Sequence, residues 1–454
     1  MRTVADSEPT KRLAERLVSV GSRPSKDSTD IAQKAFIDTF ACMLAGSSSD
    51  PTRFIAGAVQ TGPSLESPIV GMGTRATAAD AALIGGTAAH ALELDDYTLI
   101  SSGHPSAVLV PALLAVGARL DCQGSDLLDA YAIGYEATLF LGSFLRPPHH
   151  FAGFVPCAFG AAAAASTLLG ADVEEMRTSL GIVASLCVEL RANFGTATKP
   201  LMCGRASSAG VLASQLAHAG MDASTSILEA PGGLLTACEP ASREVVDAAL
   251  LHLEAGEFAP SISTPTLKKF ASCGGTHSGI EAALRLRPQI GSSPIESIVM
   301  EGPEYYQTSL RFHQPTTIAE AKFSAEASIA VALVDGSAGI SQFTDESLAR
   351  PEVRALMSKT SLISSAHLDR VFDEEQTLPA GVTIKTADCV ATSEVLFPPG
   401  TSQLPMSLGD VFEKLEDCAT FAQEKINVTE LADELRSLNA ATSLGRLQDL
   451  LLGN

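Results

Sequence analysis

Residues 87–117, Thr-Ala-Ala-His-Ala-Leu-Glu-Leu-Asp-Asp-Tyr-Thr-Leu-Ile-Ser-Ser-Gly-His-Pro-Ser-Ala-Val-Leu-Val-Pro-Ala-Leu-Leu-Ala-Val-Gly, place His90, Glu93, Asp95, Asp96 and His104 inside fifteen residues of an otherwise apolar neighbourhood. An acid or imidazole buried between apolar helices is strongly unfavourable unless it is paired, so such density has a cause. Two readings are open: a site that uses shifted pKa values, or a capped helix end whose solvated carboxylates lead into a loop. Thr77 to His90 reads as an Ala-rich helix running into the cluster. Pro105 and Pro111 bracket a turn into a further helix over 111–120.

Working outward, residues 9–20 put Leu13, Leu17, Val18 and Val20 on one side, the spacing of an amphipathic helix, and 28–45 repeat it with Ile31, Phe36, Phe40 and Leu44. Asp38 lies inside that second apolar stripe, where a hydrogen bond is the expected role. Ser67 to Gly73 reads as a strand or extended loop. Ala-rich helices follow at 125–145, 157–170, 174–188 and 204–219, parted by Gly and Pro. From about residue 262 the texture changes. Leu267–Phe270, Ile295–Glu301 and Ala380–Leu396 show the β-branched alternation of strands, with helical patterns at 276–287, 319–335 and 344–358 between them. Amphipathic helices return at 407–424 and 428–451. The fold class expected is mainly α with an α+β insert: a large all-helical domain over 1–262 completed by 404–454, and a smaller α+β domain over 263–403.

Composition bounds the function. The chain has 454 residues, room for two or three domains, and a core that must be built from Ala, Leu, Val and Ile, since Trp is absent and aromatics reach only 5%. A formal charge of −21 argues against nucleic acid or an anionic membrane as partner, and no apolar run is long enough to span a bilayer. Nine scattered cysteines without a C-x-x-C pair read as reduced thiols. With no apolar signal core at the N-terminus, the expected location is cytoplasmic.

Two further stretches carry chemistry. In 193–211, Lys199 and Arg205 are the only Lys or Arg between Arg191 and Arg243, at the opening of a small-residue helix. Helix-start amides with two cations suit a carboxylate or phosphate; the alternative is pairing with surface acids of an acidic protein. In 267–281, Cys273 and His277 flank a Gly-Gly turn. As a thiol nucleophile the pair lacks an orienting third group, and His277 at a helix start suits an uncharged base or donor. His90 and Glu93 stand three apart without a completing ligand set, so no metal is expected. Neither a P-loop nor a G-x-G-x-x-G turn is present, so no nucleotide cofactor is expected either. The His149–His150 pair beside two prolines is assigned no chemistry.

The ordered set His90-Ala-Leu-Glu-Leu-Asp-Asp96 with His104-Pro-Ser, Thr198-Lys-Pro200 with Gly204, Leu228-Glu-Ala-Pro-Gly-Gly233, Ser272-Cys-Gly-Gly-Thr-His277 and Glu320-Ala-Lys-Phe-Ser324 leading to Leu333-Val-Asp-Gly336 resembles the MmgE/PrpD family of 2-methylcitrate dehydratase, cis-aconitate decarboxylase and iminodisuccinate epimerase. The resemblance runs nearly end to end. It implies a homodimer and a cofactor-independent lyase or isomerase acting on a small di- or tricarboxylate by α-proton abstraction. It implies a site in a cleft between two domains, with Asp95, Asp96, His104 and His277 moving protons and Lys199 holding a substrate carboxylate; from the residues themselves, Arg205 and Cys273 are added as substrate-binding candidates. Three positions depart from the family's pattern. Val155 and Met202 stand where imidazoles are usual, and Ala327 stands where a Tyr is common. These losses motivate the rival expectation of an inactive family member that binds or scaffolds.

Overall fold

Alanine and glycine at helix crossings decide how most of this chain packs. The structure, a computed structural model, describes residues 7–19, 26–145, 153–187, 189–237, 242–256, 265–291, 293–422 and 426–453. The His149–His150 pair, Cys238 and the expected junction at 262–263 lie outside these residues. The chain divides into two compact units: Met1–Ala91, Asp95–Pro265 and Leu408–Asn454 form one, and Leu92–Leu94 with Thr266–Ser407 form the other. The fold is mainly α with a smaller α+β part.

The larger unit contains α1 (Pro9–Ser19), α2 (Lys26–Gly46), α3 (Asp50–Ala58), the short antiparallel pair β1 (Ser67–Ile69) and β2 (Thr74–Ala76), α4 (Ala78–Ala91), α5 (Pro105–Leu120), α6 (Gly124–Phe144), α7 (Phe154–Leu168), α8 (Val173–Val183), α9 (Thr198–His218), α10 (Leu234–Ala237) and α11 (Arg243–Glu254). In the middle lies α4, packed on α2, α5 and α9. Its Gly85-Gly86 pair costs about 1 kcal/mol of helix propensity per glycine relative to alanine. Close approach is the compensation. A Cβ on Gly86 would stand 2.8 Å from the Cα of Gly204 in α9, and one on Gly204 would stand 2.2 Å from the Leu83 carbonyl oxygen. One turn beyond Gly86 comes His90, and in the first turn of α9 comes Lys199, so this crossing sets the two side chains facing each other.

The smaller unit contains α12 (Gly274–Ile290), β3 (Ile295–Gly302), α13 (Tyr305–Ser309), α14 (Ile318–Ala321), α15 (Ala325–Asp335), α16 (Asp345–Ala349), α17 (Pro351–Met357), β4 (Thr360–Ser364), α18 (Ala366–Glu375), β5 (Ala380–Thr386) and β6 (Val390–Val395). Its sheet runs β4-β3-β5-β6, with β3 parallel to β4 and antiparallel to β5, and β5 antiparallel to β6. The parallel pair requires a crossover, which α13 to α17 provide. α12 packs on β5, β6 and α15. The chain then returns to the larger unit as α19 (Leu408–Ala422), α20 (Val428–Arg436) and α21 (Gly445–Leu452). There Lys414 of α19 meets Asp38 of α2 at 2.6 Å, both buried, which fastens the C-terminal segment to α2.

Several expectations are corrected. Pro111 lies inside α5 instead of opening it. Its missing N–H removes one bond to the Ala107 carbonyl, but its ring packs where Gly85 presents no side chain: a Cβ there would be 3.0 Å from the Pro111 Cβ. Leu267–Phe270 is not a strand. Leu267 N–H bonds singly to the Gly400 carbonyl, and Lys268 turns inward to Glu93. The helical pattern of 319–335 breaks because Ser324 caps a new helix, accepting from the Ala327 N–H at 3.1 Å. That of 344–358 breaks at Pro351, which holds Arg350 in extended backbone. That of 428–451 divides into α20 and α21.

The Gly86–Gly204 contact makes a testable claim. Gly204→Ala should lower unfolding stability by about 1–3 kcal/mol, since backbone must move to admit a methyl group. Gly57→Ala, on exposed α3 with nothing within 4 Å of the new Cβ, should raise it by up to about 1 kcal/mol. Urea midpoints of the two variants check the opposite signs; equal shifts would contradict the packing described.

Candidate active site

After α4 ends at Ala91, Glu93 adopts φ 55°, the left-handed region, and the chain reverses. The reversal delivers Asp95 and Asp96 beneath a short loop closed by Thr98 N–H to the Gly103 carbonyl at 3.0 Å. His104 then caps α5, with Pro105 at its first position. Gly103 is required here: a Cβ on it would lie 2.1 Å from the Gly153 carbonyl oxygen ahead of α7.

Four side chains of the larger unit converge. Lys199 Nζ is 2.6 Å from His90 Nε2, and His90 Nδ1 is 2.8 Å from Asp95 Oδ2. His104 Nδ1 is 3.1 Å from the same Oδ2 and 2.8 Å from the Asp96 carbonyl oxygen. A carbonyl only accepts, so His104 Nδ1 carries a proton, and in the neutral ring Nε2 is the basic nitrogen. The imidazole centroids lie 4.4 Å apart, edge to face. Phe154 packs on both, at 5.3 Å from His90 and 5.8 Å from His104, and Lys199 Nζ lies 5.1 Å over the Phe194 ring. His90 and Asp95 are fully buried, while the His104 side chain keeps 18% exposure.

The two adjacent aspartates titrate in opposite directions. Burial works to raise Asp95, but electrostatic attraction to the His90 and His104 rings and their hydrogen bonds outweigh it and hold the carboxyl well below the usual range. Among the described residues no cation is hydrogen-bonded or ion-paired to the Asp96 carboxyl. Burial pushes it up to about 7, with the Asp95 charge adding, although the Ser106 hydrogen bonds oppose the rise. Its carboxyl accepts from the Ser106 N–H at 3.1 Å and the Ser106 hydroxyl at 2.5 Å, and that hydroxyl meets Tyr131 Oη at 2.7 Å. Asp96 thus caps the start of α5 and fixes the backbone that carries His104. At α7, Glu189 accepts from the Phe154 N–H at 2.9 Å, and burial pushes its carboxyl well up.

His90, Asp95 and His104 offer three donors of metal-ligating type within 4.8 Å of one another. In this arrangement His104 Nδ1 faces the Asp96 carbonyl and Lys199 Nζ faces Nε2 of His90, so both of these nitrogens have partners within the protein.

The smaller unit places His277 in the first turn of α12, fully buried, with Cys273 at the N-cap and half-buried. His277 Nε2 donates to the Ser272 carbonyl at 3.3 Å, and its ring lies 5.2 Å from Phe270. Cys273 N–H bonds to the Lys322 carbonyl at 2.9 Å. Buried Lys268 and Lys322 reach Leu92–Leu94. Lys268 Nζ is 3.1 Å from the Glu93 carbonyl and 3.5 Å from its carboxylate, and Lys322 Nζ is 2.9 Å from the Leu92 carbonyl.

Of the residues singled out in the sequence, Asp95, His104 and Lys199 come together, with Asp96 behind them. Arg205 is exposed on α9 and does not join buried Lys199. Met202 is buried and Val155 half-buried. Ala327 belongs to an apolar cluster with Ala330, Leu348, Val353 and Met357, a setting with no site character. Sequence reasoning missed His90 as the link between Lys199 and Asp95, and missed Ser106, Tyr131, Phe154 and Glu189. His90 left a signal as a member of the dense polar run, and Ser106 as the last residue of His104-Pro-Ser, neither with a role attached.

Comparison with known proteins accounts for both halves of the chain. Residues 11–243 match the MmgE/PrpD N-terminal domain and residues 270–436 the MmgE/PrpD C-terminal domain. The chain is similar to cis-aconitate decarboxylase of Aspergillus terreus, 26% identical across 98% of this chain and 97% of that protein. It is also similar to the Mus musculus cis-aconitate decarboxylase, 28% identical across 80% of this chain and 78% of the other. Among the described residues no helix is long and apolar enough to cross a membrane.

Asp96 predicts a pH signature in stability. Its folded value of about 7 lies above its unfolded value, so the stability it contributes is full below about pH 4 and is lost as pH rises through 7. Asp96→Asn keeps an acceptor for the Ser106 N–H and abolishes this loss. The stability of the variant relative to wild type should therefore climb between about pH 4 and 7.5. Parallel curves of urea midpoint against pH would contradict the assignment.

Proposed function

This chain belongs to the MmgE/PrpD family, and from that premise we propose that it is a lyase or isomerase of a small di- or tricarboxylate, removing the proton α to a carboxylate with neither metal nor nucleotide. The observation that carries the reading is the imidazole of His104. Its Nδ1–H is held by the Asp95 carboxylate and the Asp96 carbonyl, the side chain is partly exposed, and Nε2 is the basic nitrogen of the neutral ring. A base backed by an ionised carboxylate gains strength because the imidazolium it becomes is stabilised.

In the proposed step the substrate C–H bond breaks, its proton passes to His104 Nε2, and its electron pair delocalises into the adjoining carboxylate. That carboxylate gains charge in the transition state. Lys199 is the cation that meets it, in a setting lined by Phe154 and Phe194 where an ammonium acts through a low dielectric. His277 is proposed as the second proton-carrying group. Dehydration, decarboxylation and epimerisation share this first step and differ in what leaves afterwards. Val155 and Met202, apolar where the family's pattern has imidazoles, favour a smaller or less charged substrate than the cis-aconitate named for the relatives. We take the functional form to be a homodimer.

The test is proton exchange, which needs no knowledge of the product. Incubation in D₂O with a panel of small di- and tricarboxylates should give a mass increase in at least one of them. His104→Gln should lower that exchange roughly 10²-fold or more with little change in apparent affinity. Lys199→Ala should lose both affinity and rate, and Lys199→Arg should recover only part, because a planar fork does not replace a point charge. Wild-type exchange in a folded His104→Gln variant would refute the assignment, and binding without exchange in the wild type would favour a binding protein.

A further inference from the structure

Lys199 reaches His90 at 2.6 Å and His90 reaches Asp95 at 2.8 Å, all three side chains being buried. An ammonium has donors only, so the Nε2 of His90 has to accept from Lys199. A neutral imidazole then carries its proton on Nδ1, and Nδ1 faces the Asp95 carboxylate. The hydrogens are accounted for in one direction: Lys199 to His90, His90 to Asp95. The oxygen at the end of this chain, Oδ2, is the one that His104 also reaches, at 3.1 Å, while Oδ1 is buried with no partner among the described residues. Two imidazoles therefore draw on the charge of one oxygen.

Asp38 of α2, which adds to the rise of Asp96, is itself paired with Lys414. Among the described residues the titratable groups about these three side chains include Cys42 on α2, Cys203 on α9, Cys157 and the helix-capping Glu189 at α7, and Asp96 and Tyr131 behind His104. Burial pushes the three thiols, the Glu189 carboxyl and the Tyr131 hydroxyl well up, and Asp96 up to about 7. Each is moved toward its neutral form, which leaves Asp95 as the anion opposite Lys199.

We propose that His90 is a positioning residue, a neutral imidazole that passes the charge of Asp95 on to Lys199, keeps that buried ammonium charged and aimed, and couples it to His104 through the oxygen both rings share. The coupling has a direction. When His104 takes up a proton, its bond to Oδ2 strengthens, the His90 bond to the same oxygen weakens, and the hold on Lys199 relaxes as the substrate carboxylate gains charge. This inference rests on the reading of Lys199 as the cation and His104 as the base.

Two measurements on the full-length protein test it, and neither depends on turnover. Nitrogen-15 spectra of histidine-labelled protein, with the His90 signals assigned by their loss in His90→Gln, should show His90 neutral, protonated on Nδ1 and bare on Nε2. Brief acetic anhydride pulses across about pH 6 to 11, read by peptide mass spectrometry, give the midpoint at which Lys199 becomes reactive. His90→Leu should move that midpoint down by about one unit or more, because the buried ammonium loses its link to the carboxylate. His90→Gln, whose amide accepts from Lys199 and donates to Asp95, should restore it, a rescue that a space-filling role would not produce. If the Leu variant does not fold, the wild-type tautomer and the Gln midpoint still decide. A His90 protonated on Nε2, an unmoved midpoint in His90→Leu, or a Gln midpoint as low as the Leu one overturns the proposal. A moved midpoint without any carboxylate exchange would sink the proposed activity and leave the His90 link standing; exchange with an unmoved midpoint would do the reverse.

Discussion

One carboxylate oxygen, Oδ2 of Asp95, accepts from two imidazoles, and most of what is particular to this chain follows from keeping that oxygen buried, charged and shared. Ionised carboxylates are not left alone in apolar interiors, so the surrounding elements are arranged to answer it. From α4 comes His90, from α9 comes Lys199 behind it, and the loop closing at Gly103 delivers His104. Even the packing obeys this demand. The glycines at the α4–α9 crossing weaken both helices locally, yet they allow the close approach of the two helices that carry His90 and Lys199.

Asp96, one residue away, shows how far environment and not residue type sets behaviour. It shares the burial of Asp95 but meets a hydroxyl and a backbone N–H where Asp95 meets two imidazoles, and its carboxyl is pushed toward the neutral form. Neighbouring acids with values driven apart are the arrangement that separates a charge stabiliser from a group that can hold a proton. Here the second acid also anchors the start of α5, so the backbone oxygen that holds His104 and the carboxyl that caps the helix belong to the same residue.

Much of this fold was legible because its helices are long and their apolar spacing regular. The stripes at 9–20 and 28–45 and the alanine-rich segments read as helices, and the β-branched runs at 295–301 and 380–396 as strands. The failures are places where a tertiary contact overrides a local rule. Pro111 is tolerated in mid-helix because Gly85 makes room for it, and Leu267–Phe270 gives up a strand so that Lys268 can pair with Glu93. In the site, the residue types of Asp95, His104 and Lys199 stood out by their isolation among alanines and leucines. The role of His90 did not, because a histidine on an apolar helix is defined by what faces it, and its two partners lie on a loop and on a helix more than a hundred residues away. Glu189 was hidden for the same reason: its partner, the Phe154 N–H, lies 35 residues away, and capping in trans leaves no local pattern.

The central claim, that Asp95 is the anion of this chain and Asp96 the proton-holding acid, is open to direct observation. Carbon-13 spectra of the side-chain carboxyls of aspartate-labelled protein, titrated with pH and assigned with Asp96→Asn, report each group separately. Asp95, held well below the usual carboxylate range, should stay ionised throughout the pH range in which Asp96, pushed up to about 7, takes up its proton. Two aspartates titrating together in the ordinary range near about 4 would contradict it.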